Sequence, residues 1–289
     1  MREIVWRIGD SSMPRVPQPA DPAAARQRLE KGNEDFAALF GLDEATEPQL
    51  VQLAPEELGV SPTGEPPEQR PFATAVSCAD ARVPLELLLG QRANDLFVVR
   101  VAGGVLSETA LGSLDFAVAQ LPTVQLSLSL GHTGCGAVSA AVDIYLDPPS
   151  YLGLGNSRPL LALVQNLLGP VRLASYALEA VHGPEVANRP GYRDALIDLA
   201  VVANAGTIAA TIAARISQQV IPADRRIDAA YGVYDLVSRQ VGLPGVTSEW
   251  AAGLVDAPAD GASFSHTLNE IAFGSRLSRL LDHAPGGVR

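Results

Sequence analysis

The amino-acid sequence predicts an α/β fold, in which a central, mainly parallel β-sheet is flanked by helices and preceded by an N-terminal helical arm. Short apolar runs alternate with helical stretches between residues 72 and 132, and the chain after residue 150 is mostly helical. Alternation of strands and helices is typical of parallel sheets with crossover helices. A hydrophobic fraction of 47% across 289 residues is enough for a sizeable core.

Three segments are expected along the chain. They are a flexible N-terminal arm at residues 1–22, a single α/β domain at 23–242 and a C-terminal extension at 243–289. The domain should begin with an N-terminal helix at 23–40. It should also carry a longer helical insertion at about 145–195, where several proline and glycine residues occur.

Local patterns predict the individual elements in order. Asp21 followed by Pro22 indicates the start of the first helix, because aspartate caps helix N-termini and proline is tolerated at the first helical position. Apolar runs predict strands at 72–78, 95–102, 124–132 and 227–238. Helical spacing predicts helices at 83–90, 107–121, 159–181 and 190–219.

Composition excludes several classes of protein. The net charge of −11 argues against a nucleic-acid partner, because phosphate neutralisation needs a basic surface. The best candidate for a membrane span, residues 199–214, is short and Ala/Thr-rich, so a buried helix is expected there and no membrane partner. No secretory signal is recognised, and two cysteines make a poor disulfide framework, so a cytoplasmic protein with reduced thiols is expected.

Both cysteines lie in motifs that follow predicted strands. The stretch SCADARVP (77–84) holds Cys78, Asp80 and Arg82, and GHTGCGAV (131–138) holds His132 and Cys135. Ligands bind at the carboxyl ends of parallel strands, so the two motifs should converge. Two thiolates and an imidazole are ligand types that zinc prefers. Spacing alone leaves open a zinc site, a Cys–His nucleophile pair and two unrelated core cysteines.

The pattern C-x-D-x-R followed by H-x-x-C-G resembles that of the β-class carbonic anhydrases, with features of the plant-type subclass. The resemblance extends over about residues 24–242. Further matching stretches are RLEKGNEDF (28–36), DLFVVRVAGG (95–104), SLDFAVAQL (113–121) and AAYGVYDLVSRQV (229–241).

This resemblance implies a metal site and a catalytic pair. Cys78, His132 and Cys135 would ligate Zn²⁺, and Asp80 and Arg82 would form the family's Asp–Arg dyad beside the metal. Asp80 would accept a proton while paired with Arg82, and would be a fourth zinc ligand in a closed state.

The resemblance also implies a substrate pocket. Its residues would be Gln69, Phe97, Val101, Gly103 and Phe116. Val101 departs from the family pattern, which has asparagine at this position. In the family a second subunit completes the pocket, so a homodimer or homotetramer is expected.

The expected function is that of a zinc-dependent carbonic anhydrase, a carbonate dehydratase of the lyase class. Zinc-bound hydroxide would hydrate carbon dioxide reversibly to bicarbonate and a proton. One alternative is a carbon disulfide or carbonyl sulfide hydrolase on the same scaffold. Another is a non-catalytic binding protein stabilised by zinc.

Overall fold

The computed structural model describes residues 4–9, 16–40, 49–61, 64–154 and 157–283. Within them the strands are β1 (Ile4–Ile8), β2 (Gln49–Leu53), β3 (Ala73–Ser77), β4 (Leu96–Arg100), β5 (Leu126–His132), β6 (Asp228–Tyr234), β7 (Val241–Leu243), β8 (Ala251–Ala252) and β9 (Val255–Asp256). The helices are α1 (Pro22–Ala38), α2 (Leu85–Leu88), α3 (Glu108–Gln120), α4 (Gly136–Leu146), α5 (Arg158–His182), α6 (Tyr192–Gln218), α7 (Gly261–Phe273) and α8 (Ser275–Asp282).

The central sheet has seven strands and is mainly parallel, as predicted. Its strand order is β4-β3-β5-β6-β7-β8, and β9 pairs with β6. Strands β4, β3, β5 and β6 run parallel, while β7, β8 and β9 pair antiparallel. Ser77 at the end of β3 is in register with Arg100 on β4 and Leu130 on β5. The carboxyl ends of β3 and β5 therefore meet at one edge of the sheet.

The predicted strands and long helices are confirmed, with differences at their ends. Strand β6 ends at Tyr234, although the prediction continued to residue 238. The chain turns there because Asp235 accepts a hydrogen bond from the Ser238 amide at 2.8 Å and Arg239 adopts a positive φ of 65°. The helix predicted at 83–90 is limited to the four residues of α2.

Helix α1 begins as predicted. The Asp21 side chain accepts a hydrogen bond from the Ala24 amide at 2.8 Å, and Pro22 is the first helical residue. Leu29 and Phe36 of this helix are buried in the core on one face of the sheet, together with residues of β3, β5 and α2. The helical arm is therefore packed against the sheet.

Strands β1 and β2 form a separate parallel pair that the sequence analysis did not predict. Strand β1 lies inside segment 1–22, which was predicted to be a flexible arm. Its partner is more than 40 residues away along the chain, at 49–53. Pairing over such a distance depends on the fold as a whole, whereas the prediction used local patterns only.

The other face of the sheet is covered by α4 to α8, which share one hydrophobic core with both cysteines. Residues beyond 242 are part of this core, since α7 and α8 pack against α5 and α6. Phe264 of α7 approaches α6 at Gly206, where a Cβ atom would lie 2.4 Å from the Phe264 ring. The C-terminal extension is thus built into the core of the domain.

Helix α6 is the one described helix that is long and apolar enough to cross a membrane. In its most apolar window, 78% of the residues are buried inside the fold. It packs against α5, β5 and β6. The predicted burial of this helix is confirmed.

Candidate metal centre

Cys78, His132 and Cys135 meet at the carboxyl edge of the parallel strands. Cys78 directly follows β3, His132 is the last residue of β5, and Cys135 is the N-terminal cap residue of α4. Their sulfur and nitrogen ligand atoms all lie within 4.8 Å of one another, and all three residues are buried. The topology therefore brings together the three residues that the sequence predicts as metal ligands.

The two cysteines are free thiols with their sulfur atoms 3.9 Å apart. A tetrahedral zinc ion with bonds of about 2.3 Å holds two thiolates about 3.8 Å apart. The hydrogen bond from the Cys135 thiol lowers the pKa of Cys78. The same contact and burial raise the pKa of Cys135.

His132 presents one ring nitrogen to this cluster. Its Nδ1 lies 3.0 Å from the backbone carbonyl oxygen of Thr133. This contact favours the tautomer in which Nδ1–H donates to the carbonyl and Nε2 carries a lone pair. Nε2 is buried and has no hydrogen-bond partner in the described part of the chain. A buried acceptor nitrogen facing two thiols fits a zinc ion, so these residues match the expected metal.

Asp80 and Arg82 form a two-point ion pair beside the cluster. Arg82 Nε donates to Asp80 Oδ1 at 3.0 Å and Nη2 donates to Oδ2 at 2.7 Å. These hydrogen bonds hold the pKa of Asp80 well below its usual range and raise the pKa of Arg82. Asp80 Oδ2 also lies 3.8 Å from His132 Nε2. Asp80 is therefore an ionised acceptor at the edge of the metal site, held there by Arg82.

The loop after β4 supplies a hydrogen bond to one of the thiols. The Gly103 amide donates to Cys78 Sγ at 3.2 Å, which helps to lower the pKa of Cys78. Gly103 has a positive φ of 68°, a conformation that residues with a Cβ atom rarely adopt. Its carbonyl accepts a 2.7 Å hydrogen bond from the Asn204 side chain of α6. Asn204 thereby fixes the turn that directs the amide at the sulfur.

Asn204 and Arg100 are site residues that the sequence analysis did not assign. Arg100 Nε donates to the backbone carbonyl of Cys78 at 3.1 Å, and its Nη2 donates to that of Asp80. The polar Asn204 inside the apolar run 199–214 was a visible signal for a buried contact. The arginine in FVVR gave no signal, because a charged residue at a strand end is common.

A small cavity of about 10 Å³ adjoins the ligand cluster, with space for about one water molecule. Gly103 lines it together with the three ligand residues, Asn204 and apolar side chains of β3, α4 and α6. Its apolar lining consists of Val76, Val138, Val201 and Ile208, among others. Of the five predicted pocket residues, Gly103 alone lines this cavity.

The other predicted pocket residues lie elsewhere in the chain. The Phe97 and Phe116 rings are tilted by 35° with centroids 6.4 Å apart, and they line a separate surface groove with other residues of α3. Gln69 is exposed on the segment before β3. Val101 follows β4, and its backbone pairs with Ser77 and Ala79. Phe97 is displaced from the cluster because it lies near the start of β4, three residues before the strand end.

The chain is similar to known proteins in sequence and in fold. The family model described as "Carbonic anhydrase" matches residues 73–220, just over half of the chain. The chain is 39% identical over 122 residues to carbonic anhydrase 2 of Mycobacterium tuberculosis, a match covering 42% of this chain and 53% of the relative. It is 47% identical over 74 residues to a carbonic anhydrase of Mycolicibacterium smegmatis, covering 26% of this chain and 35% of the relative.

The matched part of the chain thus spans about half the length of the M. tuberculosis relative. Among solved structures, the chain is similar to a Coccomyxa β-carbonic anhydrase in complex with acetazolamide. The TM-score is 0.47 at 20% sequence identity, and the match covers 61% of this chain and 72% of that one.

Proposed function

Because the chain belongs to the β-class carbonic anhydrase family, we propose that it hydrates carbon dioxide reversibly, turning carbon dioxide and water into bicarbonate and a proton. One observation carries the proposal. Among the described residues, the His132 Nε2 of the buried Cys78–His132–Cys135 cluster has no hydrogen-bond partner, and it lies next to an aspartate held by an arginine. A purely structural zinc site needs neither of the two charged residues.

Zn²⁺ is the proposed cofactor, held by two thiolates and one imidazole. When bound, it acts as a Lewis acid that makes water a nucleophile near neutral pH. Cys78 and Cys135 would both bind it as thiolates. The Thr133 carbonyl holds the His132 ring so that Nε2 is the ligating atom.

Asp80 is the proposed proton acceptor. Its carboxyl group is ionised, and Oδ2 lies at the edge of the cluster, 3.8 Å from His132 Nε2. Arg82 binds both carboxylate oxygens, which keeps Asp80 oriented and outside the three-residue ligand cluster. A carboxylate fixed in this way can take a proton from water and orient its lone pair toward carbon dioxide. In the closed state, Asp80 would leave Arg82 and become the fourth zinc ligand.

The chemistry of the cavity suits a small uncharged substrate. Its lining combines valine and isoleucine side chains with the Gly103 backbone and the Asn204 amide. Such a surface excludes bulk water and offers no countercharge to a large ionic substrate. Carbon dioxide is a small molecule without net charge, so it suits such a surface.

The test measures metal content and carbon dioxide hydration on one purified sample of the full chain. We expect about one zinc per chain and a hydration rate well above background. Asp80→Asn should keep its zinc and lose roughly a hundredfold or more in hydration rate, because a positioned general base contributes about that much. The matched control is Asp143→Asn, since Asp143 forms a similar two-point ion pair with Arg193 at 2.7 and 2.9 Å on the surface.

The outcomes separate the three candidate functions. Zinc-loaded protein without hydration above background contradicts the proposal. Sulfide release from carbon disulfide or carbonyl sulfide by that sample indicates the hydrolase instead. Zinc retention without activity toward any of these substrates, together with zinc-dependent folding, indicates a non-catalytic zinc protein.

We also propose that the chain assembles as a homodimer or homotetramer. Support comes from the groove around Phe97 and Phe116, in which Phe116 is 51% exposed despite its large apolar ring. Exposed aromatic residues of this kind are enriched in protein interfaces. A second copy covering this groove would bury both rings. Sedimentation of the zinc-loaded protein measures the assembly directly.

A cytoplasmic location is a further proposal. It is supported by the chemistry of the site, since both thiols must stay reduced to bind a metal. Reducing compartments maintain that state.

A further inference from the structure

A series of polar contacts links the C-terminal helix α8 to the loop that carries His132. Arg276 of α8 donates from Nε to Asp198 Oδ2 of α6 at 2.8 Å and approaches Asp235 Oδ1 with Nη2 at 3.5 Å. The same Asp235 oxygen accepts a 3.2 Å hydrogen bond from the Thr133 hydroxyl. The Thr133 carbonyl in turn contacts His132 Nδ1 at 3.0 Å.

Burial makes the charge of Arg276 important to these contacts. Asp235 is only 3% exposed, and the Asp198 side chain is also largely buried. Burial raises the pKa of Asp198, and the Arg276 guanidinium opposes this shift. Arg276 also stacks over the Trp250 ring at 5.2 Å, which restricts its orientation. One guanidinium therefore lies between two buried carboxylates and is held in a defined position.

Thr133 is fixed from several directions at the end of β6. Its amide donates to the Tyr234 carbonyl at 3.0 Å, and its hydroxyl oxygen accepts from the Leu236 amide at 3.0 Å. The hydroxyl proton is directed to Asp235. Because these bonds set the position of the Thr133 carbonyl, they also set the orientation of the His132 ring that it contacts.

We propose that Arg276 is a positioning residue for the metal ligand His132, acting through Asp235 and Thr133. This inference rests on the metal centre of the proposed function. Arg276 lies beyond residue 220, where the family match ends, so the C-terminal extension gains a role in metal binding. Without the guanidinium, two buried carboxylates would lack their shared cation and Asp235 would hold Thr133 less firmly.

The experiment measures zinc affinity by competition with a chelator, and the absorption spectrum of the cobalt(II)-substituted protein. Arg276→Gln and Thr133→Val should each weaken zinc binding about tenfold, the lower end of the effect of outer-shell partners on metal affinity. The double variant should lose little more than one single variant, because both changes break the same path. Both variants should alter the cobalt spectrum, and Arg276→Lys should recover part of the affinity.

Arg279→Gln is the matched control. Arg279 is on the same helix and pairs with Glu249, but its side chain is 52% exposed, and among the described residues neither side chain is hydrogen-bonded to the His132 loop. Its loss should leave zinc affinity and the cobalt spectrum unchanged. A melting temperature measured for every metal-free variant separates loss of fold stability from loss of metal binding.

Several outcomes would overturn the inference. One is an Arg276→Gln protein that melts at a lower temperature but binds zinc as tightly as Arg279→Gln, which would make Arg276 purely structural. If Arg276→Gln does not fold, unchanged zinc affinity in Thr133→Val overturns the inference in the same way. Wild-type protein that binds no zinc refutes the metal centre itself, whereas wild-type protein that binds zinc but hydrates no carbon dioxide refutes only the proposed activity.

Discussion

Replacing Asn204 by alanine should destabilise the loop that faces Cys78. The Asn204 side chain lies in the middle of α6, is buried, and donates a 2.7 Å hydrogen bond to the Gly103 carbonyl. The Gly103 amide then donates to Cys78 Sγ at 3.2 Å. The first bond joins residues 101 positions apart, and the two bonds together run from the core helix to the thiol.

The size of the effect follows from the partner that Asn204 would leave behind. In the alanine variant the buried Gly103 carbonyl has lost its donor, which costs about 1–3 kcal/mol of unfolding free energy. Each kcal/mol corresponds to a shift of roughly 2–4 °C in melting temperature for a chain of this size. Without Asn204 the Gly103 turn is held less firmly, so its amide donates less well to the Cys78 thiolate. Zinc affinity should therefore fall by about tenfold.

Differential scanning calorimetry of the zinc-loaded and the chelator-treated protein measures both effects. The metal-free form reports the lost hydrogen bond, and the loaded form adds the loss of zinc affinity, so its melting temperature should fall further. Thr207→Ala is the control, because the Thr207 hydroxyl donates to the Ala203 carbonyl of its own helix. If Asn204→Ala melts within about 1 °C of Thr207→Ala in both forms, the reasoning is refuted.

Three other features can be tested. The ion pair with Arg82 lowers the pKa of Asp80 in the folded protein. The pair therefore stabilises the fold at pH values above the ordinary carboxyl pKa near 4. This stabilisation is lost as the pH falls toward the lower pKa of Asp80 in the folded state. The difference in melting temperature between wild type and Asp80→Asn should therefore shrink on acidification, and a constant difference would contradict this. Gly206→Ala should lower the unfolding free energy in a urea titration by about 1–3 kcal/mol, because its Cβ would clash with Phe264, and Phe264→Leu should recover part of the loss. Equal midpoints for Gly206→Ala and wild type would show that no such clash exists. Mild oxidation should join Cys78 and Cys135 in metal-free protein, since their sulfur atoms need only move from 3.9 Å to about 2.0 Å, and bound zinc should prevent it. Intact mass spectrometry detects the loss of two hydrogen atoms, and oxidation at the same rate with zinc present would argue against metal binding by these thiols.

Much of the fold was predictable because its signals are local. Apolar runs located β3, β4 and β5, and the Asp21–Pro22 pair located the start of α1. Convergence of the two cysteine motifs was also predictable, since neighbouring parallel strands place their carboxyl ends at one edge. The pairing of β1 with β2 was not predictable, because each strand is short and its partner is distant along the chain.

The predicted pocket residues show that a sequence motif does not determine which cavity a side chain lines. Gly103 lines the metal-site cavity, but Phe97 and Phe116 face a different groove of the same chain. A motif gives the position of a residue along a strand, while the cavity that its side chain enters depends on the strand's register and on any neighbouring subunit. The predicted role of the two phenylalanines therefore depends on assembly.

The donor atoms of the two motifs can be read from the sequence alone: two thiols, the imidazole of His132, and an aspartate two positions before an arginine. Their arrangement depends on the tertiary structure. It leaves His132 Nε2 without a hydrogen-bond partner in the part of the chain that the structure describes, pairs Asp80 with Arg82, and brings Asn204 to the loop beside Cys78. It also placed the C-terminal helix α8 in contact with the polar network around the His132 loop. These arrangements come from helices packing on a sheet across long sequence separations, and such packing leaves no local signature in the residues it joins.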